Sequence, residues 1–253
     1  EGKSLYDDMH TLRKTQAHLR QTLLKKRPQE EYIHYVYLDV CDVSEINGCY
    51  EENCNSIVIL PNSILEPLYD ERESDAKFYA IGHIFGHEMT HGFDNIGGKY
   101  DAEGNLKNWW TIADQMAFTE RANLLVDCYN HLPLYMDSDE EHVNGTKTLG
   151  ENIADLGGLE IAYQAYVERL KQQGYSGKEL IKQEKKFFQA YAEVERSKFS
   201  KSHLHYLNLY DEHACGISRI NGVTMNCDRW YELYDVKWGD MNYLAPEKRT
   251  RIW

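Results

Sequence analysis

The stretch His87-Glu88-Met89-Thr90-His91 decides how the rest of this sequence is interpreted. Four residues on a helix span about 400° of rotation and about 6 Å of rise, so His87 and His91 project from the same face one turn apart. Two imidazole nitrogens in that arrangement can bind one tetrahedral Zn²⁺ at about 2.0–2.1 Å. Glu88 lies on the adjoining edge of the helix, where its carboxylate can accept a proton from a water on the same ion.

A third protein ligand is predicted further along the chain, in the stretch Gly150-Glu151-Asn152-Ile153-Ala154-Asp155. Glu151 can bind the metal while Asp155, one helical turn later, accepts the N–H of a liganding histidine. Asp94, three residues after His91, can orient the other histidine in the same way, and liganding histidines usually have such acceptors behind them. The alternative is that HExxH arises by chance and that the acidic pair is favoured only by a helix N-terminus.

The predicted secondary structure is mostly helical. Apolar periodicity and capping residues predict five helices. They run from residue 5 to 27 (ended by Pro28), from Ser74 (as N-cap) to Phe93, from Thr111 to about His131, from Thr148 to before Gly174, and from Lys178 to Phe199. Thr111 with Asp114, and Thr148 with Glu151, have the spacing of a capping box.

Two β-strands are predicted near the start of the chain, at Tyr32–Val40 and Ile57–Leu60. Asn47-Gly48 and Asn53–Ser56 are turn-forming residues between them. Because no repeat, low-complexity tract or linker is present, the sequence predicts one α+β domain, mostly helical, with a small β-sheet.

The charge balance and the length of the apolar runs exclude two classes of protein. The chain has 28 Lys+Arg and 41 Asp+Glu, which give a net charge of −13. With no basic cluster, nucleic acid is not expected as a partner, because affinity for the phosphate backbone rests on basic contacts. No apolar run reaches the roughly 18 residues of a membrane span, so no transmembrane segment is expected in this chain. Because the sequence starts at Glu1 rather than Met, we expect a processed or excised piece with any signal peptide or anchor upstream.

The six cysteines bear on the compartment. They include no CxxC pair, which argues against a four-thiolate zinc site. Three of them crowd into residues 41–54, which favours disulfides and therefore an extracytoplasmic location, as a secreted, periplasmic or membrane-anchored ectodomain. The alternative, that several are buried free thiols, stays open.

Two separated motifs resemble the neprilysin/endothelin-converting-enzyme family of zinc metallopeptidases. They are HEMTHGFD (87–94) and TLGENIADLGG (148–158), and the likeness extends from about residue 5 to Trp253 through GNLKNWW (104–110) and APEKRTRIW (245–253). The resemblance implies a thermolysin-like (gluzincin) zinc peptidase fold, with residues 1–253 as the C-terminal catalytic domain. It also implies a helical N-terminal lobe that closes over the site, and nothing in this chain corresponds to that lobe. Either the chain is a fragment of a longer polypeptide, or the lobe is a separate chain, or the site is open.

The resemblance implies a role for each site residue and oligopeptides as the substrates. One Zn²⁺ per chain would be bound by His87, His91 and Glu151, with Glu88 as general base. Asp94 and Asp155 would orient the histidines, so that Asp155 also supports catalysis. His213 would stabilise the oxyanion or donate a proton, Arg219 would bind the substrate carbonyl, and Asn47 and Gly48 would hold the peptide backbone.

Four positions depart from the family pattern. Cys215 replaces a proline and is expected to loosen the loop that carries His213, and Gly48 replaces an alanine. His83 and Glu195 replace an apolar residue and a tryptophan of the pocket for the residue after the scissile bond. These two changes predict a more polar, acidic pocket with less preference for large apolar side chains and tolerance of basic ones. His83 also shares a helix face with His87, but a hydrogen-bonded pocket histidine is favoured over a fourth ligand.

Three hypotheses follow. The first is a zinc endopeptidase that hydrolyses oligopeptides with a metal-activated water. The second is a catalytically silent zinc-bound module that binds peptides, or a fragment inactive without its lobe, which Cys215, Glu195 and the missing lobe support. The third, a purely structural zinc domain, is disfavoured because three protein ligands leave an open coordination position.

Overall fold

The computed structural model describes residues 4–23, 45–65, 68–70, 72 and 74–252. The chain divides into two compact units, Glu1–Glu45 and Ile46–Trp253. In the first unit, helix α1 spans Leu5–Leu23, in agreement with the prediction over the described residues. The predicted end of this helix at Pro28 and the predicted strand Tyr32–Val40 lie outside the described residues.

The described part of the second unit is mostly helical with two small sheets, which confirms the predicted fold class. Its helices and strands follow one another in this order: β1 Gly48–Glu51, β2 Ser56–Ile59, α2 Asp75–Ile81, α3 His83–His91, α4 Ile112–Asn130, β3 Pro133–Tyr135, β4 Ser138–His142, α5 Leu149–Gln172, α6 Gly177–Val194, α7 Lys201–Tyr210, α8 Gly216–Thr224 and α9 Asp228–Tyr234.

Strands β1 and β2 form an antiparallel hairpin in which Gly48 pairs with Ile59 and Glu51 with Ser56. The predicted strand Ile57–Leu60 is therefore confirmed to within one residue. The prediction of a turn at Asn47-Gly48 is wrong, because Gly48 begins a strand. The chain reverses instead over residues 52–55, where Asn55 adopts a left-handed conformation (φ 46°) that asparagine tolerates.

The helix predicted over Ser74–Phe93 is two helices, α2 and α3, that meet at Gly82. Ser74 is the N-cap as predicted, since its hydroxyl accepts a hydrogen bond from the amide of Lys77. Gly82 is a poor helix former, and an added Cβ there would lie 3.0 Å from the carbonyl oxygen of Tyr79. Helix α3 therefore begins as a separate helix at His83.

Helices α3 and α5 cross at unusually close range, through glycines in both. A Cβ on Gly86 would lie 2.9 Å from the Cα of Gly158, and a Cβ on Gly158 would lie 2.8 Å from the amide nitrogen of His87. Gly157 packs in the same way against the side chain of Thr90. Because the backbones touch, the histidine face of α3 lies directly against the first turns of α5.

The start of α5 differs from the prediction. The helix begins after Thr148, but no capping box forms there. The Thr148 hydroxyl accepts a hydrogen bond from the side-chain amide of Asn152 (2.8 Å) and donates to the carbonyl of Asn144 (3.1 Å). Glu151 faces the histidines instead of its own helix N-terminus. At α4, by contrast, Thr111 accepts from the amide of Asp114 as predicted.

The core of the second unit is formed mainly by α4, α5 and α6. Its largest fully buried apolar and aromatic side chains are Leu125, Tyr129, Ile153, Leu159, Tyr166, Leu170, Phe187 and Tyr191. Helix α6 ends at Val194, five residues before the predicted end at Phe199, and helices α7 to α9 were not predicted. Cys54, Cys128, Cys215 and Cys227 are free thiols, so the free-thiol alternative holds for these four. Cys41 lies outside the described residues.

Candidate metal centre

Helix α3 and the first turn of α5 bring three potential metal ligands together. The Nε2 atoms of His87 and His91 lie 3.0 Å apart. Glu151 Oε2 lies 3.2 Å from Nε2 of His87 and 3.6 Å from Nε2 of His91. Among the described residues, these three form the group of His, Cys, Asp and Glu side chains whose ligand atoms fall within 4.8 Å of one another.

Each histidine is held from behind by a carboxylate. Nδ1 of His87 lies 2.8 Å from Oδ1 of Asp155, and Nδ1 of His91 lies 2.7 Å from Oδ2 of Asp94. A carboxylate is an acceptor, so each Nδ1 carries a proton, and in the neutral imidazole Nε2 is the acceptor nitrogen that faces Glu151. The other oxygen of Asp94 accepts from the amides of Ile96 (2.6 Å) and Gly97 (2.8 Å), which fixes that carboxylate.

These donors fit a cation. Glu151 Oε2 is buried, and the Nε2 atoms of His87, His91 and His213 lie 3.1–3.6 Å from it. Burial lowers the pKa of His91, but hydrogen bonds to Asp94 and Glu151 outweigh it and raise the pKa to about 10 in the metal-free protein. A surrounding that favours positive charge so strongly also favours a metal ion, and two imidazoles with one carboxylate are a donor set that Zn²⁺ prefers.

The carboxylate of Glu88 is buried beside this group. Burial raises its pKa, against the opposing charges of His87 and His91. Strand β1 approaches it closely, because a Cβ on Gly48 would lie only 2.8 Å from Oε1 of Glu88. Glycine at this position therefore leaves room for the Glu88 side chain. Glu88, Gly48 and Asn47 line a cavity of about 570 Å³ together with the three potential ligands.

His213 reaches the same group from the segment between α7 and α8. Its Nε2 lies 3.1 Å from Glu151 Oε2, and its Nδ1 lies 2.9 Å from Oδ1 of Asp211. The hydrogen bond to Glu151 raises the pKa of His213 to about 9, although burial opposes it. Cys215, which we expected to loosen this loop, is buried as the N-cap residue of α8, with its sulfur 3.2 Å from Oγ of Ser218.

Arg219 lines the cavity, and its guanidinium is hydrogen-bonded to a buried carboxylate. Its Nε and Nη2 donate to Oδ2 (2.7 Å) and Oδ1 (2.5 Å) of Asp155. Arg219 therefore stands behind the carboxylate that orients His87. Asn47 is held locally, since its side-chain oxygen accepts from the amide of Gly48 (2.9 Å) and its carbonyl accepts from the hydroxyl of Ser63 (2.8 Å).

Two features of the cavity wall were not predicted from the sequence. Lys147 donates from Nζ to the carbonyls of Leu207 (3.2 Å) and Asn208 (2.5 Å), in the last turn of α7. His83 and Glu195 were noticed one by one, but their pairing was not predicted. Lys147 directly precedes the N-cap residue of α5, and this position four residues before Glu151 is the only sequence signal for it.

Comparisons with known proteins show what this chain is similar to. The family model of peptidase family M13 matches residues 47–250. The neutral endopeptidase of Lactococcus lactis subsp. lactis (strain IL1403) is 34% identical over 210 residues, which cover 82% of this chain and 31% of that protein. Human neprilysin is 32% identical over 213 residues, covering 82% and 28% of the two chains.

A solved structure shows the same fold. The zinc metalloprotease Zmp1 of Mycobacterium tuberculosis, in complex with an inhibitor, superposes with a TM-score of 0.77 at 34% identity, over 85% of this chain and 33% of that one. The chain thus spans about a third of the length of the curated relatives that it matches. Among the described residues, no helix combines the length and the apolar composition needed to cross a bilayer.

Proposed function

Because the chain belongs to peptidase family M13, we propose that it is the catalytic domain of a zinc-dependent endopeptidase that hydrolyses peptide bonds of oligopeptides. One observation carries the proposal: the potential ligand atoms of His87, His91 and Glu151 lie within 4.8 Å of one another, in the same cavity as the buried carboxylate of Glu88. The names of the relatives, a neutral endopeptidase and a zinc metalloprotease, support the same reaction class.

His87, His91 and Glu151 would hold one zinc ion. When bound, zinc supplies a Lewis acid that lowers the pKa of a water molecule and polarises the scissile carbonyl. Glu88 takes the proton from the attacking water and passes it to the amide nitrogen as the peptide bond breaks. Burial suits Glu88 to this task, because a raised pKa makes its carboxylate a stronger base.

The other predicted residues would serve binding and orientation. His213 is half exposed to the cavity and, when protonated, donates a hydrogen bond to the developing oxyanion. Asp94 and Asp155 keep the protons on Nδ1 of the two histidines, so that the Nε2 lone pairs stay available. Asn47, Gly48 and Arg219 would bind the substrate backbone, Arg219 with N–H groups that Asp155 leaves unused.

The rest of the protein is part of the proposal. Since the chain spans about a third of its relatives, we propose that residues 1–253 form a C-terminal catalytic domain that works with a helical N-terminal lobe. Such a lobe would exclude water from the cavity and limit the substrates to oligopeptides. An extracytoplasmic location, either secreted or as an anchored ectodomain, is proposed with it.

The decisive variant is Glu88→Gln, which keeps the shape of the side chain but removes the base. We expect wild type to bind about one zinc per chain and to cleave oligopeptides, with a chelator abolishing cleavage. Glu88→Gln should keep the zinc and lose at least about 100-fold in kcat. Zinc is measured by atomic absorption, and cleavage by mass spectrometry of peptide products.

Other outcomes identify other functions. If zinc-loaded wild type binds peptides but does not cleave them, even with a supplied N-terminal lobe, the chain is a silent peptide-binding module. If Glu88→Gln loses the zinc as well as the activity, Glu88 is a structural residue rather than the base.

A further inference from the structure

A buried histidine–glutamate pair forms part of the wall of the cavity. Nε2 of His83 lies 2.9 Å from Oε1 of Glu195, and Nδ1 of His83 lies 2.7 Å from the carbonyl of Ala80. Both ring nitrogens therefore face acceptor oxygens, one of the backbone and one of a carboxylate. The side chains of His83 and Glu195 are 2% and 8% exposed, so the pair is largely withdrawn from solvent but still borders the cavity.

The second oxygen of Glu195 is incompletely paired. Oε2 lies 3.4 Å from Nε of Arg219, a long contact, because that nitrogen donates at 2.7 Å to Asp155. Among the described residues, this is the ion pair found for Oε2, and no side-chain hydrogen bond to it is seen. A carboxylate oxygen can accept more than one hydrogen bond, so Glu195 Oε2 can accept a donor brought by a ligand.

Carboxylates are the most numerous charged side chains that line the cavity. Among the described lining residues there are six carboxylates against two lysine and arginine side chains, and both of those cations already have partners inside the protein. Four histidines also line the cavity, and all of them lie against carboxylates of the protein. The carboxylates are Glu52, Glu88, Asp94, Glu151, Glu195 and Glu212, and the cations are Lys147 and Arg219. The net charge of −13 for the whole chain has the same sign.

The pair is also close to the potential metal ligands. His83 precedes His87 by one helical turn, about 6 Å of rise, so a side chain that reaches Glu195 belongs to a residue next to the reacting peptide bond. Leu68, Ile84 and Val194 line the same cavity and can contact the aliphatic part of a long side chain.

We propose that His83 and Glu195 form a specificity subsite that selects peptides with lysine or arginine beside the scissile bond. The aliphatic stem of such a side chain packs against the apolar wall, and its nitrogen donates to Glu195 Oε2. An apolar side chain in the same place would strip water from this oxygen without replacing its hydrogen bond, which is unfavourable. A glutamate side chain would face like charges. The inference rests on the proposed function, since it names the substrate of that site.

Peptide binding tests the subsite independently of turnover. Peptides that differ only by lysine, glutamine, norleucine or glutamate, on either side of one peptide bond, are titrated into zinc-loaded Glu88→Gln protein. We expect the lysine peptide to bind at least about tenfold more tightly than the norleucine peptide on one of the two sides, and the glutamate peptide most weakly. Equal or tighter binding of norleucine on both sides, or no binding of any peptide, overturns the proposal.

Variants then assign the preference to Glu195. In Glu195→Gln, also carrying Glu88→Gln, the lysine advantage should fall below about threefold. Glu193→Gln makes the same chemical change at an exposed position of the same helix and should leave the advantage intact. His83→Gln keeps the charge of Glu195 and should also retain the advantage. If Glu195→Gln does not fold, Glu195→Asp, which withdraws the carboxylate by one methylene, should lower the advantage in its place, and an unchanged advantage in Glu195→Asp would contradict the role of Glu195. A lysine advantage that survives in folded Glu195→Gln refutes the role of Glu195.

Turnover in wild type separates this proposal from the proposed function. Peptides that bind with the expected preference but are never cleaved would contradict the endopeptidase and leave the subsite standing. Cleavage with no preference for lysine would support the endopeptidase and contradict the subsite.

Discussion

At the scale of single residues, the acceptor nitrogens of His87 and His91 depend on the carboxylates that lie behind the two rings. A neutral imidazole has one donor and one acceptor nitrogen, and a carboxylate at Nδ1 leaves Nε2 as the acceptor. The carboxylates are held differently: Asp94 by backbone amides, and Asp155 by the guanidinium of Arg219. This difference leads to different expectations for two otherwise matched substitutions.

Asp155→Asn and Asp94→Asn should both weaken zinc binding by about 10- to 100-fold, because each loosens one ligand histidine. Only Asp155→Asn also leaves the buried Arg219 without its ionic partner, which should lower the free energy of unfolding by about 3–5 kcal/mol. Asp94→Asn can keep its amide contacts, so a loss of about 1 kcal/mol is expected. Zinc competition titrations and urea unfolding measure the two effects. Equal destabilisation by both variants would show that the Arg219 contact is not what distinguishes them.

How well single residues could be predicted depended on how local their contacts are. HExxH fixes the relation of His87 to His91 because helix geometry alone sets it. The ion pair of Arg219 with Asp155 joins residues 64 positions apart, on α8 and α5, and no periodicity in the sequence encodes it. The pairing of His83 with Glu195 likewise needs α3 and the end of α6 to be adjacent, which only the folded chain provides.

At the scale of secondary structure, the glycine contact between α3 and α5 sets the distance between the ligands. Gly158→Ala would place a Cβ 2.7 Å from the carbonyl oxygen of His83 and 2.8 Å from the amide of His87, and neither backbone atom can move by itself. Alanine favours helix by about 1 kcal/mol over glycine, but we expect a net loss of about 1–3 kcal/mol as the helices separate. Zinc affinity should fall with it. Thermal unfolding and zinc titration test this, and Gly86→Ala, from the opposite helix, should behave alike. A raised Tm in either variant would mean that the contact is not tight.

Helix α7 precedes the segment that carries His213, and none of its described side chains is buried. Polar contacts hold it instead. Asn208 donates to Glu141 (3.0 Å) and to the carbonyl of His142 (2.9 Å), and Lys147 bonds the last-turn carbonyls. The segment that carries His213 follows directly, so its position depends on these hydrogen bonds.

Lys147→Met should therefore lower kcat while leaving zinc binding unchanged. It keeps a long side chain but removes the donor to the carbonyls of Leu207 and Asn208. With α7 less firmly anchored, we expect His213 to be less well oriented and kcat to fall about 3- to 10-fold. Lys198→Met, an exposed lysine before the same helix, is the matched control and should have no effect. Loss of zinc in Lys147→Met would point to a direct effect on α5 instead.

The same contrast explains which elements the sequence could predict. Ser74 and Thr111 cap their helices as expected, because an N-cap needs only a hydroxyl and the next turn. Thr148 and Glu151 have the same spacing, but no capping box forms, because the Glu151 side chain lies against the histidines of α3 instead. Helix α7 lacks a buried apolar face, and α9 has only seven residues, so periodicity alone gave neither.

At the scale of the whole molecule, zinc, protons and folding are linked. In the metal-free protein the pKa of His91 is raised from its usual 6.5 to about 10, because hydrogen bonds to Asp94 and Glu151 outweigh burial. A group whose pKa is raised by folding stabilises the folded state fully below its unfolded pKa, and that stabilisation is lost as the pH rises through the folded pKa. The zinc-bound form needs His91 neutral, so zinc competes with this proton.

We therefore expect the stabilisation by zinc to grow with pH. Between pH 6.5 and 8.5 chelated protein gains progressively less from protonated His91. Zinc at about 1,000 times the Kd that holds at pH 6.5 adds about 4 kcal/mol at that pH, and the same zinc concentration adds more at higher pH because the Kd falls. The difference in Tm between the two, measured at fixed total zinc, should widen across this range. Asp94→Asn removes one of the hydrogen bonds that raise the pKa of His91. In this variant the Tm difference between zinc-bound and chelated protein should therefore change less steeply with pH. A Tm difference that is flat with pH, or that narrows, would mean that no proton is displaced from His91 when the metal binds.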